Sequence, residues 1–290
     1  MRFPQRNCQS RRKVAVQKMV KKVSRFGLSG LSAALLVAML GVVLVHAGPT
    51  QAGLTKDNKG PQLLIGRDDD RIDNAAIQAG AAVNQSLDRT DIIEAGQGND
   101  VIFGLNGNDV IDGGRGADII LGGPDGGAAP GGPPNSDIMF GGQGDDVNLW
   151  APGDGSEAFI GGPGLDALVF GATDREAVAD PSTGVRLPTL LFGVEGFPQG
   201  IPTADVSGLV QHCTVEPSPS PAFDHLVRFR GPTGNIIVTV RVSGVEQFFC
   251  PSKDGAGIAF ADLTLPSPEF VDVAHDEVET LNPLVAAMIR

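Results

Sequence analysis

The feature that most restricts the fold of this chain is a nine-residue recurrence. Residues 95–103, 104–112 and 113–121 read AGQGNDVIF, GLNGNDVID and GGRGADIIL, and residues 141–149 and 161–169 return to the pattern as GGQGDDVNL and GGPGLDALV. Glycine at the first, second and fourth places permits positive φ and close backbone approach, which a tight six-residue turn requires. The three residues after the aspartate are mostly β-branched or large and apolar, enough for one short strand. Each unit is thus a turn and a strand, and two units make one coil of 18 residues with strands on opposite sides. Units two apart then stack directly. Residues 96–171 hold 22 of the 40 glycines, but they do not recur every third residue, which excludes collagen. The Val, Ile, Leu and Phe interleaved with them argue against simple disorder.

Stacking brings the sixth-position aspartates of alternate units close together, with turn carbonyls beside them. Carboxylates at such spacing repel, and a hard cation with oxygen ligands relieves the repulsion; Ca²⁺ suits a flexible all-oxygen site better than Mg²⁺. Turn propensity alone explains one or two Asn-Asp pairs, but not acids held at one place in several units. The candidate ligands are Asp91, Asp100, Asp109, Asp118, Asp137, Asp146 and Asp166, with the turn glycines Gly96, Gly98, Gly107, Gly114 and Gly116. These units resemble the hemolysin-type (RTX) calcium-binding nonapeptide, Gly-Gly-x-Gly-x-Asp-x-U-x with U large and apolar. The resemblance covers roughly residues 66–171 and implies calcium as cofactor and a parallel β-roll as fold.

The departures from the pattern also carry information. The acid after Asp118 is Asp137, 19 residues on, so residues 122–135 hold either an acid-free unit or a surface loop. Glu157 follows Asp146 by 11 residues and precedes Asp166 by nine; Asp91 precedes Asp100 by nine but has no glycines in its turn. Side chains alternate along a strand, so the second residue after each acid should point into the coil. Ile93, Ile102, Ile111, Ile120, Met139, Phe159 and Leu168 fit that place, and Asn148 does not. If residues 122–130 count as one unit, Phe103, Leu121, Phe140 and Ile160 form one outward ridge. Such a ridge should be covered by the C-terminal module or a second protomer, with Glu94 and Asp112 wet on the other face.

Residues 1–30 carry nine Lys and Arg and no acid, the run from Leu31 to Val45 is apolar, and Val45-His46-Ala47 is a small-residue cleavage pattern. This is the layout of a secretory signal peptide. Cleavage after Ala47, cleavage after Ala52 and retention as an anchor remain open. Beyond residue 47 the chain holds 13 Lys and Arg against 34 Asp and Glu, a net charge of −21. That charge repels nucleic acid and favours bound cations. Cys213 and Cys250 are the cysteines of the exported portion, so one disulfide is expected, with two buried thiols as the alternative.

The remaining sequence is read as a leader and N-terminal cap over 48–90, the roll over 91–171 and a small β-rich module over 172–290. In that module Phe223–Arg230 and Asn235–Val242 flank Gly231–Gly234 as a β-hairpin, which Val245–Cys250 extends, and residues 274–290 form a short helix interrupted at Pro283. The sequence has no His-Glu-x-x-His, no Gly-x-Ser-x-Gly and no Gly-Lys-Ser/Thr after its glycines. The expectation is therefore an all-β, exported calcium-binding protein of periplasm, cell surface or medium. Its β-roll would fold on external Ca²⁺, in a structural or adhesive role with a cell-surface or glycan partner. The alternative is a hydrolase or lyase acting on acidic polysaccharide through the C-terminal module.

Overall fold

The computed structural model describes residues 53–56, 63–65, 91–104, 108–123, 137–173, 188–206, 212–253 and 257–289. The expected signal peptide, most of the N-terminal cap, Gly107 and residues 124–136 lie outside them. All strands and helices below belong to one compact unit, residues 49–218 and 223–290.

Strands β1 (Gly53–Lys56), β3 (Asp91–Gln97), β5 (Val110–Arg115), β7 (Ile138–Gln143) and β9 (Ala158–Ile160) form one parallel sheet. The alternating strands β2 (Leu63–Ile65), β4 (Val101–Phe103), β6 (Ile119–Leu121), β8 (Val147–Trp150) and β10 (Ala167–Phe170) form the other, also parallel. Chain order therefore swaps sheets at every turn, the winding of a β-roll. Register is in phase: Val101 pairs with Ile119, Ile119 with Val147 and Val147 with Ala167.

The inward places are filled as the alternation requires. Ile93, Ile102, Ile111, Ile120, Met139, Phe159 and Leu168 are all fully buried between the sheets. Each such side chain contributes about 1.5–3 kcal/mol of apolar burial. Asn148 occupies an inward place despite its polarity, and its amide nitrogen lies 3.0 Å from the Met139 sulfur.

Two expectations are corrected. β7 stacks directly on β5 and β8 on β6, so β6 and β7 are consecutive half-coils on opposite sheets and no acid-free unit intervenes between them. Phe103 and Leu121 consequently share a sheet with Leu149 and Val169, whereas Phe140 and Ile160 share the other with Glu94 and Asp112. The predicted ridge does not exist. The outer face that is covered consists of Phe103, Leu121, Leu149 and Val169, packed under Phe197, Ile201, Ala204 and Val206 and the C-terminal helices.

The covering layer holds two small antiparallel pairs, β11 (Ala172–Thr173) with β14 (Ala204–Asp205) and β12 (Leu190–Leu191) with β13 (Ile201–Pro202). Beyond it, β15 (His212–Pro217), β16 (His225–Arg230) and β17 (Ile236–Ser243) form an antiparallel meander whose last strand pairs in parallel with β9. β16 and β17 are the expected hairpin. β18 (Gln247–Pro251) does not extend it: it crosses to the other sheet and pairs in parallel with β10, then antiparallel with β19 (Ile258–Asp262), which pairs with β20 (Val271–Val273). Both sheets thus run from the roll into the C-terminal strands. The apolar interior continues with them, through Trp150, Phe170, Phe229 and Phe248, whose ring centroids lie 4.7–5.7 Å apart where they touch. Helices α1 (His275–Leu281) and α2 (Pro283–Met288) follow, divided at Asn282, whose side chain caps α2 by accepting from Val285 N–H.

Candidate metal centre

The sixth-position acids form ladders at the two edges of the roll. Asp118 Oδ1 accepts the Asp100 backbone N–H at 2.8 Å, Asp146 Oδ1 accepts that of Asp118 at 2.8 Å, and Asp166 Oδ1 accepts that of Asp146 at 2.9 Å. On the other edge Asp137 Oδ1 accepts the Asp109 N–H at 2.7 Å. Backbone bonds run the other way, from Ile119 N–H to Asp100 O, Val147 N–H to Asp118 O and Ala167 N–H to Asp146 O. Asp118, Asp137, Asp146 and Asp166 each therefore clasp the coil before them through one carboxylate oxygen. The fifth place supports this: Asn99 Oδ1 accepts from Ala117 N–H and Asp145 Oδ1 from Leu165 N–H.

The six sixth-position aspartates, Asp100, Asp109, Asp118, Asp137, Asp146 and Asp166, are buried, at 0–1% exposure. The second oxygen, Oδ2, of Asp137, Asp146 and Asp166 has no hydrogen-bond partner. It points at the first glycine of its own unit. A Cβ on Gly141 would lie 2.5 Å from Asp146 Oδ2 and 2.8 Å from Gly161 O; one on Gly113 would lie 2.5 Å from Asp118 Oδ2 and 2.7 Å from Gly141 O. The missing side chain leaves a cradle in which a carboxylate oxygen and a carbonyl oxygen of the next coil converge. Gly116 serves a different need: its φ is +130°, and a Cβ there would collide with Gly98 O of the stacked turn.

The electrostatics follow from burial. Asp146 is pushed up to about 9, first by loss of solvent and then by the Asp118 charge, against the lowering effect of its bond from the Asp118 amide. Burial likewise pushes Asp166 up to about 7, and Asp137 well above the usual carboxylate range, with Asp154 adding repulsion. A cation in the cradle removes that penalty. No three or more His, Cys, Asp or Glu side chains converge on one point among the described residues, so each cradle combines a carboxylate with main-chain carbonyls. An all-oxygen donor set of this kind fits Ca²⁺.

Of the residues singled out in the sequence, Asp100, Asp118, Asp146 and Asp166 come together on one edge and Asp109 and Asp137 on the other. Gly96, Gly98, Gly114 and Gly116 lie in the stacked turns with positive φ. Asp91 opens β3, its backbone opposite Gly53. Glu246 was missed. It ends the first ladder, its Oε2 accepting the Asp166 N–H at 2.8 Å. Its turn has neither the spacing nor the glycines of a unit; the only signal is an acid followed by Gln-Phe-Phe.

Residues 87–123 and 135–147 match the model of the RTX calcium-binding nonapeptide repeat, in four copies. No curated protein and no solved structure matches the chain. With its clasped aspartates, glycine cradles and alternating parallel strands, the chain carries RTX calcium-binding nonapeptide repeats, which bind calcium ions.

Proposed function

We propose that this is an exported protein whose β-roll folds on meeting extracellular Ca²⁺ and then serves as a rigid structural or adhesive element toward a cell-surface or glycan partner. The observation that carries the reading is the row of buried aspartates whose Oδ2 atoms face oxygen-lined cradles. Asp91, Asp100, Asp109, Asp118, Asp137, Asp146 and Asp166 are assigned as ligands, with the carbonyls of the turn glycines. Without a cation these buried carboxylates oppose folding; with one they hold consecutive coils together. Extracellular modules bind Ca²⁺ with Kd of roughly 10⁻⁴–10⁻³ M, so the exterior fills the sites and the cytosol does not.

Export is supported by the basic, apolar and small-residue succession of residues 1–47 and by the −21 charge of the rest. A Cys213–Cys250 disulfide belongs to the same reading, and the two Cα atoms lie 6.5 Å apart, within bridging range. Residues 48–90 serve as cap, 91–171 as roll and 172–290 as the module that closes its far end. The test is circular dichroism of the full-length chain in chelator and then in millimolar Ca²⁺. A gain of β signal with calcium is expected, and identical spectra in both conditions would overturn the proposal.

A further inference from the structure

The last cradle of the first ladder is completed by residues outside any recognisable repeat. In the repeats, Gly161 O accepts the Gly142 N–H at 2.8 Å and lies beside Asp146 Oδ2 in the cradle over Gly141. One coil further, Gly244 O accepts the Gly162 N–H at 3.3 Å and lies beside Asp166 Oδ2 in the cradle over Gly161. Both of those oxygens fall within 3.0 Å of the point where a Gly161 Cβ would sit. The correspondence extends to the acid. Asp166 Oδ1 holds the Asp146 amide, and Glu246 Oε2 holds the Asp166 amide. Gln247 N–H reaches Asp166 O as Ala167 N–H reaches Asp146 O, and β18 lies on β10 as β10 lies on β8.

The difference is length. Five residues separate Ile160 from Asp166, whereas two separate Ser243 from Glu246. The shorter turn holds the backbone back, and the extra methylene of Glu restores the reach to the next coil. Asp166 is fully buried and its Oδ2 is without a hydrogen-bond partner, so the site does not rest on a cluster of acids alone.

We infer that Asp166 Oδ2 and the Gly244 carbonyl form a calcium site at the junction of the roll with the C-terminal strands, with the Glu246 carboxylate clasping Asp166 and placing a second negative charge beside the ion. This inference rests on the calcium reading above and adds a consequence to it. Occupancy here ties β17 and β18 to the last coil, so the ion couples closure of the C-terminal module to folding of the roll.

The test is calcium counting by native mass spectrometry on the full-length chain and its Glu246→Gln variant, which keeps an acceptor for the Asp166 amide and removes the charge. The variant should bind one ion fewer than the wild type at saturating calcium, or bind its last ion at least tenfold more weakly. Equal counts with an unchanged titration would overturn the inference and leave the repeat sites standing. A wild type that binds no calcium would overturn both. Should the variant not fold, hydrogen exchange on the wild type decides. Calcium should protect residues 161–166 and 243–247 together, and protection of 113–118 and 141–146 without 243–247 would overturn the site.

Discussion

Replacing Asp146 with Asn separates the two tasks of a ladder aspartate. The amide keeps an oxygen for the Asp118 N–H, bonded at 2.8 Å. It places NH₂ where Oδ2 sat, in the cradle that also holds Gly161 O, so the cradle is satisfied by an internal hydrogen bond instead of a cation. The magnitude comes from the buried acid. With its folded-state value raised to about 9 from 3.8, wild-type Asp146 takes up a proton when the metal-free chain folds at pH 7. The distance from 3.8 to pH 7 is roughly three units, and at 1.36 kcal/mol each this costs about 4 kcal/mol, a cost the amide never incurs. In calcium the gap narrows. A site filled to 10–100 times its Kd adds about 1.4–2.7 kcal/mol to the wild type, release of the proton included, and nothing to the variant. Urea denaturation at pH 7 should therefore rank Asp146→Asn above wild type by about 4 kcal/mol in chelator, and that lead should shrink by about 1.4–2.7 kcal/mol in 10 mM Ca²⁺. A variant that is less stable than wild type by the same amount in both conditions would refute the reasoning, because Asp146 would then be a structural clasp with no part in metal binding.

Acidity should stabilise the metal-free chain. Asp146, Asp166 and Asp137 are all raised on folding, so their contribution is whole below about pH 4 and is lost as pH rises through about 7 and then about 9; thermal melts in chelator that rise from pH 5 to pH 8 would contradict this. Asn148→Val should raise the unfolding free energy by about 1–2 kcal/mol, because Asn148 Oδ1 is buried in the roll interior without a hydrogen-bond partner; a urea midpoint that falls would show that the amide is needed there. Bridging of Cys213 and Cys250 across 37 residues should add roughly 3–4 kcal/mol through the unfolded state; two thiols that alkylate freely in the native oxidised protein would exclude it.

The parts of this fold legible in the sequence are those that repeat. A strand of three residues after each acid has one inward place, and Ile93, Ile102, Ile111, Ile120, Met139, Phe159 and Leu168 all occupy it. Stacking of alternate units followed from the 18-residue coil, and the Asp100–Asp118 bond is its direct expression. The hairpin of β16 and β17 was equally plain, since Gly231–Gly234 separates two alternating runs.

Whatever depended on counting across an irregularity was not legible. An ordinary turn places five residues between the strand end and the next acid, and residues 122–136 place fifteen. The excess is ten, one more than a full unit, so by length alone an excursion and an acid-free unit are nearly the same. Only strand pairing distinguishes them, and the difference moves Phe140 and Ile160 to the other sheet. β18 raised a similar ambiguity. Following a hairpin, Gln247–Pro251 reads as one more antiparallel strand, but two residues after Ser243 suffice to carry the chain across the roll when an acid at 246 clasps the coil behind it. The repeat signature is a record of turn length and glycine placement, whereas a clasp requires only an acceptor at the right reach. Glu246 meets that requirement with a longer side chain on a shorter turn, and a pattern written in glycines does not register it.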